Sequence, residues 1–267
     1  MEPAAKFRRK EITVLAASER FKRFRPEIES ETRKQEVKSS PILESMVQAW
    51  SRCRGGFFGD GSTFLQEGYD KFLGELKGLR CSAVDIGSFS MELVKYQGED
   101  WFSEKAGIFL SALMNNSADN EFYIHTSNLT IPVEFLGFRN TKNFTVDGNI
   151  GINLGVQMEG GAITVKGECM ASIGNMMQGG TITVEGSVGD LIGVRMKGGT
   201  ITVYGNAGNE IGIEMEGGAI LVKGRAGRDI GNSMNGGEIH LGGGFDRISE
   251  NIKGGRIFWH NELIRGR

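Results

Sequence analysis

The sequence predicts a parallel β-solenoid with turns of 19 residues, preceded by a small, mostly α-helical domain. Two observations predict the solenoid. One pattern recurs six times between Phe144 and Arg256, and 30 of the 41 glycines lie after residue 143. A fixed period of this length is typical of solenoids, in which each turn buries its apolar side against its neighbours. Apolar residues at helical spacing before residue 119 predict the helical domain.

Each copy of the repeat begins with an alternating signature, most often Ile-Thr-Val-x-Gly. In the copy Ile163 to Thr181, Ile163 and Val165 point to one side while Thr164 points to the other. Five copies have 19 residues and the sixth has 18. Four or five glycines per copy argue against a helix, because each costs a helix interior about 1 kcal/mol. The alternation therefore predicts a half-buried strand.

A second short apolar segment follows in each copy. The segment Ile192 to Met196 predicts a second strand, which ends at the pair Gly198 and Gly199. Paired glycines permit a positive φ and hence a sharp corner. In register, the apolar positions stack as ladders. These are Ile163, Ile182, Ile201, Ile220 and Ile239; Met158, Met177, Met196, Met215 and Met234; and Leu154, Ile173, Ile192, Ile211, Ile230 and Ile248.

The same register predicts rows of outward-facing side chains. One row has opposite charges adjacent at its start and consists of Asp147, Lys166, Glu185, Tyr204 and Lys223. Arg195 and Glu214 are neighbours in another. Cross-strand pairs of opposite charge contribute about 0.2 to 1 kcal/mol each, so we interpret them as setting register.

A further glycine pattern completes the repeat: Gly148, Gly151, Gly155; Gly186, Gly189, Gly193; Gly205, Gly208, Gly212; and Gly224, Gly227, Gly231. The second copy departs from it at Met170 and the sixth at Ser249. With its period and its glycine pairs, the stretch 144–256 resembles the GXGXG domain. That domain closes the large subunit of glutamate synthase and forms most of one subunit of formylmethanofuran dehydrogenase.

The resemblance implies that the β-helix is right-handed and single-stranded. It also implies a domain that braces catalytic neighbours without supplying catalytic side chains. The chain departs from glutamate synthase elsewhere, because the amidotransferase and flavin-bearing regions have no counterpart in residues 1–120. We therefore do not expect this chain alone to make glutamate.

Composition bounds the remaining possibilities. The net charge of −2 and the pI near 6.0 give no global basic field for nucleic acid. Cys53, Cys81 and Cys169 are scattered and odd in number, which favours free thiols in a reducing compartment. No signal peptide and no run of 18 apolar residues is apparent. We expect a cytoplasmic protein without a membrane partner.

Five regions are predicted. Residues 1–40 carry 11 Lys or Arg against 7 Glu and form a charged arm, flexible or partner-bound. Residues 41–118 form the helical domain, and residues 119–143 form an irregular capping coil. Residues 144–256 form the β-helix and residues 257–267 a C-terminal cap, since solenoids need atypical ends to hide their open strands.

Within the helical domain, helices are predicted over Pro41 to Trp50, Thr63 to Leu79 and Trp101 to Met114. Ser40 is a candidate cap for the first, and Thr63 with Gln66 fits a capping box for the second. Met91 to Gln97 fits either a strand or a helix. The glycine-rich loop Gly55 to Gly61 is a weak phosphate-binding candidate, because Asp60 has the wrong charge and no Gly-Lys-Ser/Thr follows.

No catalytic, cofactor-binding or metal-binding residue is predicted. His125, His240 and His260 have no second histidine or cysteine at metal-ligand spacing, so we interpret them as surface or end-cap residues. Glu214, Asp229, Arg228 and Arg195 are the candidates for a carbohydrate-active β-helix enzyme. Stacked charge pairs explain these residues without catalysis, and no aromatic residues that could stack on carbohydrate accompany them, since Tyr204 is the only aromatic between Ile150 and Gly244.

By resemblance, we expect a non-catalytic structural subunit of a cytoplasmic oxidoreductase or amidotransferase complex. Its partners would be redox or amidotransferase subunits, and we expect no cofactor of its own. One alternative is a stand-alone protein that self-associates through its open ends or its helical domain. The other is the carbohydrate-active enzyme.

Overall fold

The computed structural model of the chain describes residues 40–53 and 62–266, which fall within one compact unit, Val37–Arg267. The predicted arm, residues 1–40, lies outside the described residues except for Ser40. The glycine-rich loop Gly55 to Gly61 also lies outside them.

Helix α1, Pro41–Arg52, begins where the sequence predicts. The Ser40 hydroxyl accepts a hydrogen bond from the Leu43 N–H at 3.1 Å, and Pro41 occupies the first turn. Helix α2, Ser62–Glu75, begins one residue before the predicted Thr63, whose side chain lies outside the described ones, so the capping box stays a prediction. The helix also ends before the predicted Leu79, because Gly78 takes a φ of +84° in the turn that follows.

Helix α3, Ala83–Glu92, was not predicted from the sequence. The side chain of Ser82 caps its first turn, and Asp85 completes a capping box. A 3₁₀ turn, Leu93–Tyr96, continues from it, so the segment that fitted either strand or helix is helical. Helix α4, Phe102–Asn116, confirms the third predicted helix and extends it at its C-terminal end.

Aromatic side chains form the core of the helical region. Trp50, Phe72, Phe89 and Phe109 are fully buried, and the Trp50 and Phe109 rings meet edge to face with centroids 5.6 Å apart. Helix α4 is buried on nearly every side. A helix that is apolar all round lies inside a domain, and α4 accordingly lies between the other helices and the first turn of the solenoid.

Within residues 62–266, eight strands pair in parallel, and successive strands enclose seven turns of a parallel β-solenoid. The strands are β1 Glu121–Ile124, β2 Asn143–Val146, β4 Ala162–Val165, β6 Thr181–Val184, β7 Thr200–Val203, β8 Ala219–Val222, β9 Glu238–Leu241 and β10 Arg256–Trp259. A ninth strand, β11 Glu262–Gly266, pairs antiparallel with β10. A separate two-stranded sheet joins β3, Ile150–Leu154, to β5, Cys169–Ile173. The predicted fold class is confirmed.

The predicted register is confirmed as well. Ile163 pairs with Ile182, and Ile201 with Ile220, each one period further along the chain. The isoleucine ladder and the methionine ladder are fully buried, as is the third ladder from Leu154 to Ile230. Strand positions alternate between buried and partly exposed, as expected for strands with one face in the core.

The predicted second strand over Ile192 to Met196 is wrong. Residues 193–195 form a turn, in which Gly193 has φ +66° and Arg195 has φ +51°. Left-handed residues recur at the same two places in five turns, namely Asn153, Ser172, Leu191, Glu210 and Asp229, and Gln157, Met176, Arg195, Glu214 and Ser233. The N–H groups of Leu191 and Arg195 reach carbonyls of the following turn, at 3.0 and 2.8 Å. Hydrogen bonds between turns thus stabilise positive φ values, which a β-strand does not adopt.

Two glycine positions show why the repeat needs glycine. A Cβ on Gly189 would lie 1.9 Å from the carbonyl oxygen of Met170 in the preceding turn. The second glycine of each pair has a positive φ, +87° at Gly199, which confirms the predicted corner. The period is therefore fixed by backbone approach as well as by side-chain burial.

The helical region closes the N-terminal end of the solenoid, which we call the sealed end. A Cβ on Gly107 of α4 would lie 1.8 Å from the carbonyl oxygen of Glu134, so helix and first turn touch through their backbones. The buried Ser111 hydroxyl accepts hydrogen bonds from the N–H groups of Gly137 and Phe138 at 2.8 and 3.2 Å. Helical side chains thus bond backbone donors of the first turn.

The predicted charge row is only partly right. Arg195 and Glu214 form the expected ion pair, with Nε 2.6 Å from Oε2. Within the described residues, no ion pair joins Lys166 to Asp147 or to Glu185. The Lys166 ammonium lies over the Tyr123 ring instead, 5.3 Å from its centroid. Asp147 turns back to the first turn of the solenoid, where it bonds backbone N–H groups.

Candidate functional site

The last two strands form a hairpin at the opposite end of the solenoid. His260 and Asn261 connect β10 to β11 with φ values of +47° and +67°. Two left-handed residues in a two-residue loop are typical of a type I′ turn. Residues 257–267 were predicted only as a cap, and β11 was not predicted. Asn261, which tolerates a left-handed backbone, was the signal available.

We call β10, the turn and β11 the C-terminal hairpin. All five residues of β11 are exposed. Trp259, Leu263 and Ile264 leave 40%, 58% and 37% of their surface exposed, which places apolar side chains around the strand. The sheet order ends at β11, so within the described residues the outer edge of β11 has no strand partner. Such an edge is a template for pairing with another strand.

A polar and aromatic network covers the outer face of the last turn. The His240 ring stacks on Phe258 with centroids 4.6 Å apart, and its Nε2 lies 3.0 Å from Oε2 of Glu238. Arg256 forms an ion pair with Glu238 as well. The hydrogen bond from His240, helped by the charge of Arg256, lowers the pKa of Glu238. The network presents an aromatic and charged patch beside the hairpin.

Contacts with the last turns hold the hairpin in place. The Trp259 indole donates to the Gly243 carbonyl at 2.9 Å, and its ring meets Phe245 edge to face at 5.7 Å. The Arg265 guanidinium donates to the Glu250 carbonyl at 3.4 Å. Strand β11 is therefore held against the solenoid along one edge, and its other edge is exposed.

A cavity of 510 Å³ lies between two loops of the helical region, at residues 78–82 and 116–119. The Ser117 hydroxyl donates to the Cys81 carbonyl at 2.7 Å, and Asp119 accepts from the Ala83 N–H. Burial, and then the charge of Asp85, raise the pKa of the Cys81 thiol to about 11. A thiol held protonated is a poor nucleophile, so this cavity offers no activated cysteine.

The other two cysteines are also buried, and all three are free, as predicted. Burial raises the pKa of Cys169 in β5. Burial likewise raises the pKa of Cys53, against the opposing charge of Lys71. These thiols lie in the packed interior and act there as small apolar groups.

The three histidines occupy separate places. His125 follows β1, and its Nδ1 lies 2.8 Å from Asp147. Partial burial alone would raise the pKa of Asp147, but hydrogen bonds from the N–H groups of Thr126 and Ser127, and from His125, outweigh it and lower the pKa. His240 belongs to the network on the last turn, and His260 lies in the hairpin turn. Surface and end positions are what the sequence predicts for them.

A partly buried ion pair lies at the edge of the helical core. Lys105 is only 5% exposed, and its ammonium lies 2.9 Å from Glu99 Oε2 and 4.0 Å from the centroid of the Trp50 ring. The Trp50 indole donates to the other oxygen of Glu99 at 3.2 Å. Both oxygens of this carboxylate are engaged, so the cluster fixes the packing of the core.

The residues suggested for a carbohydrate-active enzyme form ordinary cross-turn contacts. Arg195 pairs with Glu214, and Asp229 pairs with Arg247. The Arg228 N–H donates to the side chain of Asn209 at 3.1 Å. The structure therefore brings these four residues into contacts between turns and does not join them in one group.

In the part of the chain that the structure describes, no three His, Cys, Asp or Glu side chains are placed to hold a metal ion. The helices in that part include none that is long and apolar enough to cross a bilayer. No protein-family model matches the chain, and no curated protein is significantly similar to it.

Proposed function

We propose that this chain is a structural subunit that holds redox or amidotransferase partner subunits in a cytoplasmic complex, without catalysing a reaction itself. The observation that carries the proposal is the difference between the two ends of the solenoid. One end is closed by packed helices, whereas the other presents an exposed strand edge among apolar side chains. Exposed apolar surface beside an unpaired edge is typical of a protein-docking surface.

The repeat chemistry supports assigning the solenoid to the GXGXG type. Each glycine class has its own steric reason: Gly189 touches the backbone of the preceding turn, and Gly193 lies against the Ile220 side chain of the isoleucine ladder. By this proposal the β-helix is right-handed, and it braces catalytic neighbours as the domain does in the families that it resembles.

The outer row of the solenoid is the second surface available to partners. Tyr204 is 57% exposed there, between the charged residues Glu185 and Lys223. An aromatic side chain flanked by charges on a rigid sheet suits protein recognition, because aromatic residues are enriched where partners bind. Since the strands keep one register, the row presents its side chains at regular intervals along the sheet.

The test is affinity purification of the tagged chain from its native cell, with mass spectrometry and an absorption spectrum of the eluate. Stoichiometric redox or amidotransferase subunits are expected, and colour, if present, should leave with them when the subunits are separated. The isolated chain should carry no flavin and no iron and should show no turnover. Stoichiometric flavin absorbance of the isolated chain would contradict the proposal.

Crosslinking locates the partner surface. A photoreactive phenylalanine analogue at Tyr204 preserves an aromatic side chain on the outer row, and the same analogue at Met170 provides a control, since Met170 is 63% exposed. Adducts with the co-purifying subunit at Tyr204 but not at Met170 would place the partner on the outer row. Adducts at neither position would remove this row from the proposal.

A further inference from the structure

The C-terminal hairpin has a pattern that is complementary to itself. In register with β10, Glu262 pairs with Trp259 and Arg265 pairs with Ile257. Residues two apart on a strand share a face, so Ile257 and Trp259 lie on one face of β10. Glu262 and Arg265 must therefore share a face too, although they are three residues apart.

A β-bulge explains this placement. The register shifts between Ile257 and Phe258, which leaves Ile264 without a partner on β10. The extra residue restores Glu262 and Arg265 to the same face, whereas a regular strand would point them to opposite faces. Opposite charges thus lie near the two ends of a short exposed strand, with Leu263 and Ile264 between them.

We propose that the outer edge of β11 pairs with β11 of a second copy of this chain, antiparallel and across a two-fold axis. With the axis between Leu263 and Ile264, Glu262 of each copy faces Arg265 of the other. Leu263 then lies opposite Ile264. Within the described residues, neither Glu262 nor Arg265 has an ion-pair partner. The Arg265 guanidinium donates to the Glu250 carbonyl at 3.4 Å, and its charge is not neutralised there.

A second copy fits this edge better than an unrelated strand does. A two-fold rotation places Glu262 of one copy opposite Arg265 of the other, so the strand is complementary to itself. Self-complementarity is the requirement for an isologous contact. Among the residues that the structure describes, the sealed end offers no second open edge, because helix α3 packs against β1. Pairing therefore stops at two copies and cannot propagate into a filament. The inference goes beyond the proposed function, since it concerns the isolated chain whichever subunits it serves.

The test is sedimentation of the purified full chain over a range of concentrations. We expect a monomer–dimer equilibrium. Glu262→Arg and Arg265→Glu should each weaken dimerisation about tenfold, since each replaces two attractive cross-strand pairs with two repulsive ones. The double variant exchanges the charges and retains both pairs, so it should recover most of the lost affinity.

Matched controls separate this contact from a general effect of net charge. Glu185→Arg and Lys223→Glu make the same charge changes on the outer row and should leave dimerisation unchanged. Circular dichroism and thermal unfolding of each variant check that the solenoid is intact. A chain that stays monomeric throughout the micromolar range overturns the proposal. So does a dimer that is equally strong in both single variants, because its contact would lie on another surface. The proposed scaffold function is tested separately by co-purification and survives either result.

Discussion

The two ends of this solenoid cover their open sheet edges in different ways. At the sealed end, α4 approaches the first turn so closely that only glycine fits at Gly107, and the Ser111 hydroxyl bonds backbone N–H groups. At the other end a five-residue strand covers β10 and leaves its own edge exposed. Both ends cover an open sheet edge, but helix α3 packs against β1 at the sealed end, whereas the strand that covers β10 leaves its own edge exposed. The difference indicates which end is built for stability and which is available for contact.

The largest effect is expected at the backbone contact of the sealed end. Gly107→Ala would place a Cβ 1.8 Å from the Glu134 carbonyl oxygen. We expect a loss of about 3 kcal/mol in the free energy of unfolding, because overpacking against backbone cannot relax easily. Chemical denaturation measures it. Gly74→Ala in α2, where a Cβ meets nothing within 4 Å, is the control and should be neutral or stabilising. Equal outcomes would mean that the ends do not differ in this way.

The Ser111 hydroxyl should contribute next. It accepts from two N–H groups and donates to the Gly107 carbonyl at 2.6 Å. Ser111→Ala leaves buried backbone groups unpaired, for which we expect a cost of about 2 kcal/mol. Ser45→Ala removes an exposed hydroxyl that bonds only its own helix, and should change the free energy by less than about 0.5 kcal/mol. The denaturant concentration at the midpoint of unfolding measures the effect of each variant, provided that the slope of the free energy against denaturant concentration is unchanged.

How much of this contrast the sequence predicts depends on the kind of feature. The repeat is legible because burial of Ile163 and its equivalents and the steric demand at each glycine pair recur every 19 residues. The left-handed residues were missed because most residue types at those positions, such as Leu191 and Arg195, are not ones that favour a positive φ; only Asn153 and Asp229 are. Hydrogen bonds between turns impose the positive φ at these residues. No local sequence pattern indicates where those hydrogen bonds form.

The two ends were also unequally predictable. A glycine inside a helix, Gly107, signals a close approach but does not name the partner, which lies in the coil after β1. The hairpin depends on a two-residue turn that lacks the usual Asn-Gly pair, so residues 257–267 could be placed only as a cap. Long-range backbone contacts therefore escaped prediction at both ends.

Acid should weaken the contacts that Asp147 makes with the first turn of the solenoid. The pKa of Asp147 is lower in the folded chain than its usual value of 3.8, so its stabilisation is complete above that value and is lost as the pH falls through the lowered folded pKa. Asp147→Asn should cost about 1 kcal/mol at neutral pH and should flatten the acid dependence of the urea midpoint. Glu185→Gln on the same outer row is the control. An unchanged acid profile in the Asp147 variant would refute the assignment.

The smallest effect on stability is expected at the hairpin. Leu263 is 58% exposed and lies on the outermost strand. Leu263→Ser should change the free energy of unfolding by less than about 0.5 kcal/mol, as is usual for surface positions. The same variant should weaken dimerisation, because it removes an apolar side chain from the proposed contact. A large loss of stability together with unchanged association would reverse the roles assigned to the ends.

The unbroken 19-residue register from β2 to β9 has a consequence for length. Each turn hydrogen-bonds only to the turns before and after it, so a whole turn can be removed or duplicated without a change in either cap. Every such step would move the hairpin by about 4.8 Å relative to the helices. The number of 19-residue copies thus sets the distance between the sealed end and the exposed strand.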